Sequence, residues 1–280
     1  MPKRFPRCAA SSPNRRSDVV SIRHFGQPPA VDREIAAGDA RWRAPEETPV
    51  ALICNGRNYA VMLATPADLA DYAVGFSLTE RVVADVSDIE AIDIHQELRG
   101  VDIRLTLTSD AIERFDARQQ RRNLVGRAGC GVCGVENAET FFERLPRVSE
   151  QKAKIDAAAL LRAAADLARH QPLNARTRTV HAAAFASPDG EILLAREDVG
   201  RHNALDKLLG ALALSGSPTA SGFVVMSSRC SYEIVEKSAR AGIEAILSLS
   251  APTAFAINKA EEANIALYVI SSARAVAIGR

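Results

Sequence analysis

The chain reads as an α/β protein, with a largely parallel sheet flanked by helices following a β-rich N-terminal lobe, and three observations predict this. From Val180 onward, short apolar runs alternate with amphipathic helical stretches, the rhythm of a parallel sheet with helices on its faces. Earlier, apolar residues either flank an Asn-Gly pair or alternate with polar ones, as in hairpins and half-exposed strands. With 280 residues, 47% of them hydrophobic, the chain can bury one large core or two modest lobes without a disulfide or metal staple.

Residues 1–29 read as a basic, disordered tail, since Met1 to Ser17 carries Lys3, Arg4, Arg7, Arg15 and Arg16, no acid, and no apolar run unbroken by Pro or Ser. A β-rich lobe over 30–150 follows. Val50 to Cys54 and Tyr59 to Ala64 flank Asn55-Gly56 as a tight hairpin, because Asn-Gly supplies positive backbone angles. Thr65-Pro66 suggests a helix start, continued by Leu69, Tyr72, Ala73 and Phe76 at helical spacing. Val101, Ile103, Leu105 and Leu107 alternate as a strand. The pattern then weakens into an arginine-rich, glycine-rich stretch ending in a mobile Cys-x-x-Cys loop.

A second, α/β lobe is expected over 151–280. Leu160, Leu161, Ala164, Leu167 and Ala168 mark an amphipathic helix that Pro172 should end. Next come strand Val180 to Ala186, turn Pro188-Asp189-Gly190, strand Ile192 to Ala195 and a helix with Leu205, Leu208, Leu209 and Leu212 on one face. Strand Phe223 to Met226, helix Tyr232 to Ala241, strand Ala245 to Leu249, helix Thr253 to Glu262 and strand Ala266 to Ile270 complete the alternation. Ligands of such sheets sit beyond the carboxyl ends of the strands.

Lys plus Arg number 35 against 34 acids, a balance that argues against a dedicated nucleic-acid or membrane-surface protein. Five cysteines, an odd count, and no secretory apolar stretch point to reduced thiols in a cytoplasm rather than a disulfide framework.

Gly129-Cys130-Gly131-Val132-Cys133-Gly134 is the most reactive-looking segment. A structural zinc would need a second ligand pair, and a deaminase-type zinc a His-x-Glu upstream; neither is present, so no metal is expected. The spacing also matches G-x-G-x-x-G, but no apolar strand leads in. A redox dithiol and a sulfur carrier stay open. Arg127 could favour a nucleophilic thiolate, and the second cysteine could resolve a persulfide formed on the first.

Glu197-Asp198-Val199-Gly200-Arg201-His202-Asn203 lies between a strand and a helix, where amide groups face anions. Arg201 and His202 could hold phosphate, Asp198 a base or ribose. In the plainer alternative, Asp198 pairs with Arg201, Asn203 only caps, and Lys207 is structural. Ser228 and Arg229 follow another strand, and His181 begins one as either core residue or ligand contact.

Cys130 to Gly134, His181 to Ala184, the eleven residues Glu197 to Lys207, and Ser250-Ala251-Pro252-Thr253 together resemble the formate dehydrogenase accessory sulfurtransferase family, FdhD. The resemblance implies a cytidine-deaminase-like α/β fold. It also implies a sulfurtransferase that passes sulfur from a cysteine desulfurase to the molybdenum or tungsten cofactor, a bis(molybdopterin guanine dinucleotide) carried as bound substrate, before insertion into formate dehydrogenase. Cys130 would then carry the persulfide with Cys133 as partner. Ile270, Ser271, Ser272, Ala273, Arg274 and Ala275 occupy the place of a family cofactor-binding stretch. The implied partners are the desulfurase, the dehydrogenase and the guanine nucleotide part of the cofactor, with a homodimer allowed and neither nucleic acid nor membrane. Thr177-Arg178-Thr179 and Ser227-Ser228-Arg229 stand where the family usually has Thr-Gly-Gly and Ser-Gly-Arg, so glycine positions in two segments, at 178, 179 and 228, have gained side chains. The competing readings are a chaperone that only holds the cofactor and a thiol-disulfide oxidoreductase.

Overall fold

The computed structural model describes residues 20–97, 99–122, 143–149, 155–219 and 222–279, with backbone only at 37 and 117–122. Cys130 and Cys133 lie outside the described residues.

The first lobe is a five-stranded sheet in the order β1-β6-β7-β4-β5. It comprises β1 (Ser21–Phe25), β4 (Thr48–Cys54), β5 (Arg57–Ala64), β6 (Ile89–Glu97) and β7 (Gly100–Leu107), beside a two-stranded ribbon of β2 (Asp32–Ala37) and β3 (Ala40–Pro45). The β4–β5 turn has Asn55 and Gly56 at φ 46° and 78°, the doubly positive conformation expected of Asn-Gly. Residues 21–25, expected within the tail, instead form β1, which pairs parallel to β6. Helices α1 (Leu69–Thr79) and α2 (Ser109–Arg122) cover this sheet, and Leu52, Tyr72, Phe76, Ile92, Ile103 and Phe115 fill the core.

The second lobe is a six-stranded sheet in the order β13-β12-β11-β10-β8-β9. Its parallel strands are β10 (Phe223–Arg229), β11 (Ala245–Ser250) and β12 (Ala266–Ser271). Antiparallel strands flank them: β8 (His181–Ala186) and β9 (Ile192–Asp198) on one side, β13 (Arg274–Ile278) on the other. Helices α5 (Arg201–Leu214), α6 (Tyr232–Arg240) and α7 (Ala254–Glu262) pack on one face through Leu205, Leu208, Ile234, Val235 and Ala260. Helix α3 (Ala157–Asp166) packs on the other through Leu160 and Ala163. Each strand of this kind feeds both cores: Val224 and Met226 face one, Phe223 and Val225 the other, so continuous apolar runs replace alternation.

Two expected element boundaries move. Helix α1 begins at Leu69 rather than at Pro66 behind a Thr65 cap, with Asp68 left-handed at its N-cap; the Thr65 amide and hydroxyl are engaged by residues of the second lobe. Pro172 does not simply end a helix. It opens the short α4 (Pro172–Thr177), at whose first turn a proline loses nothing by lacking an N–H.

The lobes meet where α1 crosses α5. A Cβ on Gly75 would sit 1.7 Å from the Asp206 carbonyl, and one on Gly210 1.8 Å from that of Asp71. Both neighbours are backbone, so only glycine lets the helices approach this closely. Beside the crossing, buried polar groups tie the lobes together. Lys237 Nζ reaches Asp206 at 3.0 Å and Glu80 and Thr79 at 2.9 Å, and Arg196 pairs with Asp71 at 2.8 Å.

Candidate functional site

The strand directions of the second sheet bring its sequence-predicted polar residues to one end. His181 opens β8 opposite Asp198, which closes β9; Arg229 closes β10 beside Ser250; and Ser271 and Arg274 face each other across the β12–β13 turn. The N-termini of α5, α6 and α7 follow β9, β10 and β11 at this same end, where unbonded amides favour negative charge. Thus His181, Asp198, Arg201, His202, Ser228, Arg229 and the stretch Ile270, Ser271, Ser272, Ala273, Arg274, Ala275 share one edge of the molecule.

Within this edge the residues divide by exposure. Asp198 has no exposed surface. Its carboxylate accepts from the amides of Thr65 (2.9 Å) and Gly200 (2.8 Å) and from Asn203 Nδ2 (2.9 Å), and it pairs with Lys207 at 2.7 Å. Lys207, equally buried, also donates to the Thr65 carbonyl at 2.8 Å. The partner of Asp198 is therefore Lys207 rather than Arg201, and its four internal donors engage the carboxylate that was expected to receive a base or ribose. Asn203 does not cap α5, whose N-cap is Gly200; its amide binds the Leu63 carbonyl at 2.8 Å. These residues hold the Val199-Gly200 turn in shape from beneath.

Above that support sit the available groups. Arg201 is half-buried, its Nε enclosed without a partner among the described residues, an arrangement that awaits an acceptor. His202 Nε2 meets Glu233 at 2.9 Å and Ser231 Oγ at 3.4 Å. Burial, together with the charges of Arg201 and His202, holds the His181 imidazole below its ordinary 6.5, so it is neutral near pH 7. Arg229 and Arg274 are exposed, and neither forms an ion pair with a described residue. An edge carrying arginines, neutral histidine and three helix N-termini is suited to an anionic ligand.

Arg178 and Ser228, two of the positions where the resemblance led to an expectation of glycine, behave differently. Arg178 sits left-handed at φ 55° as the C-cap of α4, a conformation glycine adopts freely. Ser228 is buried, its hydroxyl bonded to the Arg229 carbonyl at 3.0 Å and its carbonyl receiving Ser248 Oγ at 2.8 Å. The 270–275 stretch is a hairpin tip, with Ser272 and Ala273 at φ 48° and 59°. Thr65 and Glu233 were not anticipated as parts of the site. Glu233 follows Ser231 by two residues at the mouth of α6, a spacing that could have drawn attention to it.

Cys54 and Cys230 are buried, and burial pushes both thiols up to about 12, which disfavours the thiolate a nucleophile needs near neutral pH. Among the described residues no cluster of His, Cys, Asp or Glu could hold a metal ion, and no helix is long and apolar enough to cross a membrane.

A sequence model of the FdhD/NarQ family matches residues 45–278. The chain is 45% identical over 253 residues to the sulfur carrier protein FdhD of Cupriavidus necator, covering 83% of this chain and 87% of that one. It is 44% identical over 263 residues to the protein of the same name from Xanthomonas euvesicatoria, covering 92% and 90%. Its fold is similar to the crystal structure of a protein from Desulfotalea psychrophila assigned as a formate dehydrogenase accessory protein, with TM-score 0.65, 21% identity and 89% and 95% of the two chains covered.

Proposed function

Since the chain belongs to the FdhD/NarQ family, we propose that it is a sulfur carrier required for formate dehydrogenase activity, loading sulfur on Cys130 and delivering it to a phosphate-rich metal cofactor held at the sheet end. The observation that supports the holding role is the meeting of Arg201, whose Nε has no partner among the described residues, with His181, His202, Arg229 and three helix N-termini. The cargo, a bis(molybdopterin guanine dinucleotide) with molybdenum or tungsten, carries phosphates for the arginines and guanines for the imidazoles and main-chain groups.

One turnover of the sulfur chemistry balances with the cysteine pair and a desulfurase persulfide. The Cys130 thiolate attacks the outer sulfur of a persulfide on a cysteine desulfurase; a sulfur–sulfur bond forms on Cys130 and the desulfurase leaves as a thiolate. The Cys133 thiolate then attacks the Cys130 sulfur. A Cys130–Cys133 disulfide forms, hydrosulfide leaves toward the metal of the cargo, and the two electrons that reduce the outer sulfur come from the two thiols. Regeneration of the dithiol requires a cellular thiol reductant, a need that a reducing cytoplasm would meet. The high thiol pKa values of Cys54 and Cys230 support this assignment.

Intact-mass measurement after incubation with a cysteine desulfurase and cysteine tests the carrier role: one added sulfur on the wild type and none on Cys130→Ala is the expected result. Unmodified wild type, with formate dehydrogenase still matured, would leave a cofactor-holding chaperone in its place.

A further inference from the structure

The chain that leaves the cysteine pair re-enters the described structure at Glu143, and from there it is fastened along α7. Lys259 Nζ donates to the Glu143 carbonyl at 3.0 Å and pairs with Glu262 at 2.9 Å. Glu262 accepts from the Leu145 amide at 3.1 Å, while its carbonyl accepts from Arg147 at 3.0 Å. The Val148 amide donates to the Ala263 carbonyl at 2.9 Å, and Asn264 Nδ2 to the Ser149 carbonyl at 3.0 Å. Leu145 and Val148 are buried in the core beneath α5, α6 and α7.

The order of these contacts carries a direction. Residues 148, 145 and 143 meet residues 263, 262 and 259 in turn, so the chain, followed back toward the cysteines, climbs α7 toward its N-terminus. That N-terminus, capped by Thr253, stands at the anion-binding end of the sheet. Glu143 also lies 3.9 Å from Arg81, just beyond the end of α1, and its charge is felt by Tyr232 at the first position of α6. Glu143, the first described residue after the cysteine segment, thus lies at the junction of both lobes, near the N-terminal end of α6 and beside Lys259 of α7.

Lys259 is only 4% exposed. An ammonium group so deeply covered is a poor choice if residues 143–149 merely shield apolar surface, since an aliphatic side chain of that size would avoid its desolvation. A charged group that binds a main-chain carbonyl fixes position instead. The Glu262 carboxyl reports the same arrangement: burial works against its charge, but hydrogen bonds from Lys259 and the Leu145 amide leave it below its ordinary value.

We infer that Lys259 and Glu262 are positioning residues for sulfur delivery: they fix the root of the cysteine segment on α7, so that the sulfur-bearing thiol is tethered within reach of the cargo. Cys130 precedes Glu143 by thirteen residues, which bounds its distance from the root at about 47 Å whatever path the chain takes. Lys259 lies five residues into α7 from Ala254, about 8 Å along the axis from its N-terminus. The sheet end is therefore inside the tethered volume, and the intramolecular encounter depends on where the root is held. This inference rests on the sulfur-carrier reading.

The test uses the full chain with Lys259→Met, which keeps length and volume but not the donor, and with Glu262→Gln, a milder change at a partly exposed position. Hydrogen exchange at Leu145 and Val148 should accelerate on the order of tenfold in Lys259→Met, the factor that loss of a charge-assisted hydrogen bond carries. Guanosine diphosphate affinity and sulfur loading of Cys130 by the desulfurase should match wild type, while transfer from loaded Cys130 into formate dehydrogenase maturation should slow by a similar factor, less in Glu262→Gln. Released exchange with undiminished transfer would overturn the positioning role, and unchanged exchange would overturn the anchor. Failure of the wild type to acquire sulfur would overturn the carrier reading and this inference with it, an outcome separable from the others because it needs no variant.

Discussion

Lys207→Met probes the support beneath the candidate site. The ammonium is fully buried, 2.7 Å from Asp198, 2.8 Å from the Thr65 carbonyl and 3.4 Å from that of Glu197. Methionine fills most of the volume but leaves a buried carboxylate without its countercharge, a loss that typically destabilises by about 3 to 5 kcal/mol. Asp198 keeps three other donors, from Thr65, Gly200 and Asn203, and these place the expected cost near the lower limit, about 3 kcal/mol. Urea titration followed by far-ultraviolet circular dichroism measures it as a shift in midpoint at constant slope. The double variant Asp198→Asn with Lys207→Met should be more stable than Lys207→Met alone, because the orphaned charge is gone. A single variant within about 0.5 kcal/mol of wild type, the range of ordinary surface changes, would refute the reasoning that this pair supports the site from beneath.

Further consequences concern other links of the same account. Gly210→Ala should destabilise by about 3 kcal/mol or more, at or above the usual range for overpacking, because the new methyl would meet the Asp71 carbonyl at 1.8 Å; a wild-type melting temperature would show that α1 and α5 do not cross as described. His181 has a folded pKa below its ordinary 6.5, so the unfolded chain takes up more protons as pH falls through that range. Stability should then decline as the solution is acidified from about 6.5 through the depressed folded value. His181→Gln should flatten that part of the profile, and an identical profile in the variant would remove His181 as its source. Cys130→Ala should abolish both sulfur loading and formate dehydrogenase maturation, whereas full maturation by this variant would remove the thiol from the mechanism.

The second lobe was largely legible because its alternation is local: each strand is a short apolar run, and each helix carries its own stripe. The sheet end followed from topology, since strand ends and helix starts must fall together there. Contacts across the lobes were not legible in the same way. Thr65 carries a strong local helix-capping signal, yet its amide and hydroxyl bind Asp198 and Val199, more than 130 positions away, and tertiary partners outweighed the cap. The choice of Lys207 over Arg201 as partner of Asp198 depends on which face of α5 meets α1, which the Gly75–Gly210 crossing determines. Strand β13 was missed because Ser272-Ala273 is not a hairpin-turn pair by composition, although both residues adopt positive φ. Strand β1 was hidden by its exposed side chains and its pairing with residues seventy positions on.

Titration of the wild type, Arg201→Ala and Cys130→Ala with guanosine diphosphate, followed by calorimetry, tests most directly whether the sheet end holds the nucleotide part of the cargo. The account predicts binding by the wild type that weakens with salt, a loss of about 1.5 to 3 kcal/mol in Arg201→Ala as a charge-assisted hydrogen bond disappears, and unchanged binding in Cys130→Ala. Equal affinity in all three would remove Arg201 from the site, and a folded wild type that binds no nucleotide would contradict the placement of the cargo at this end of the sheet.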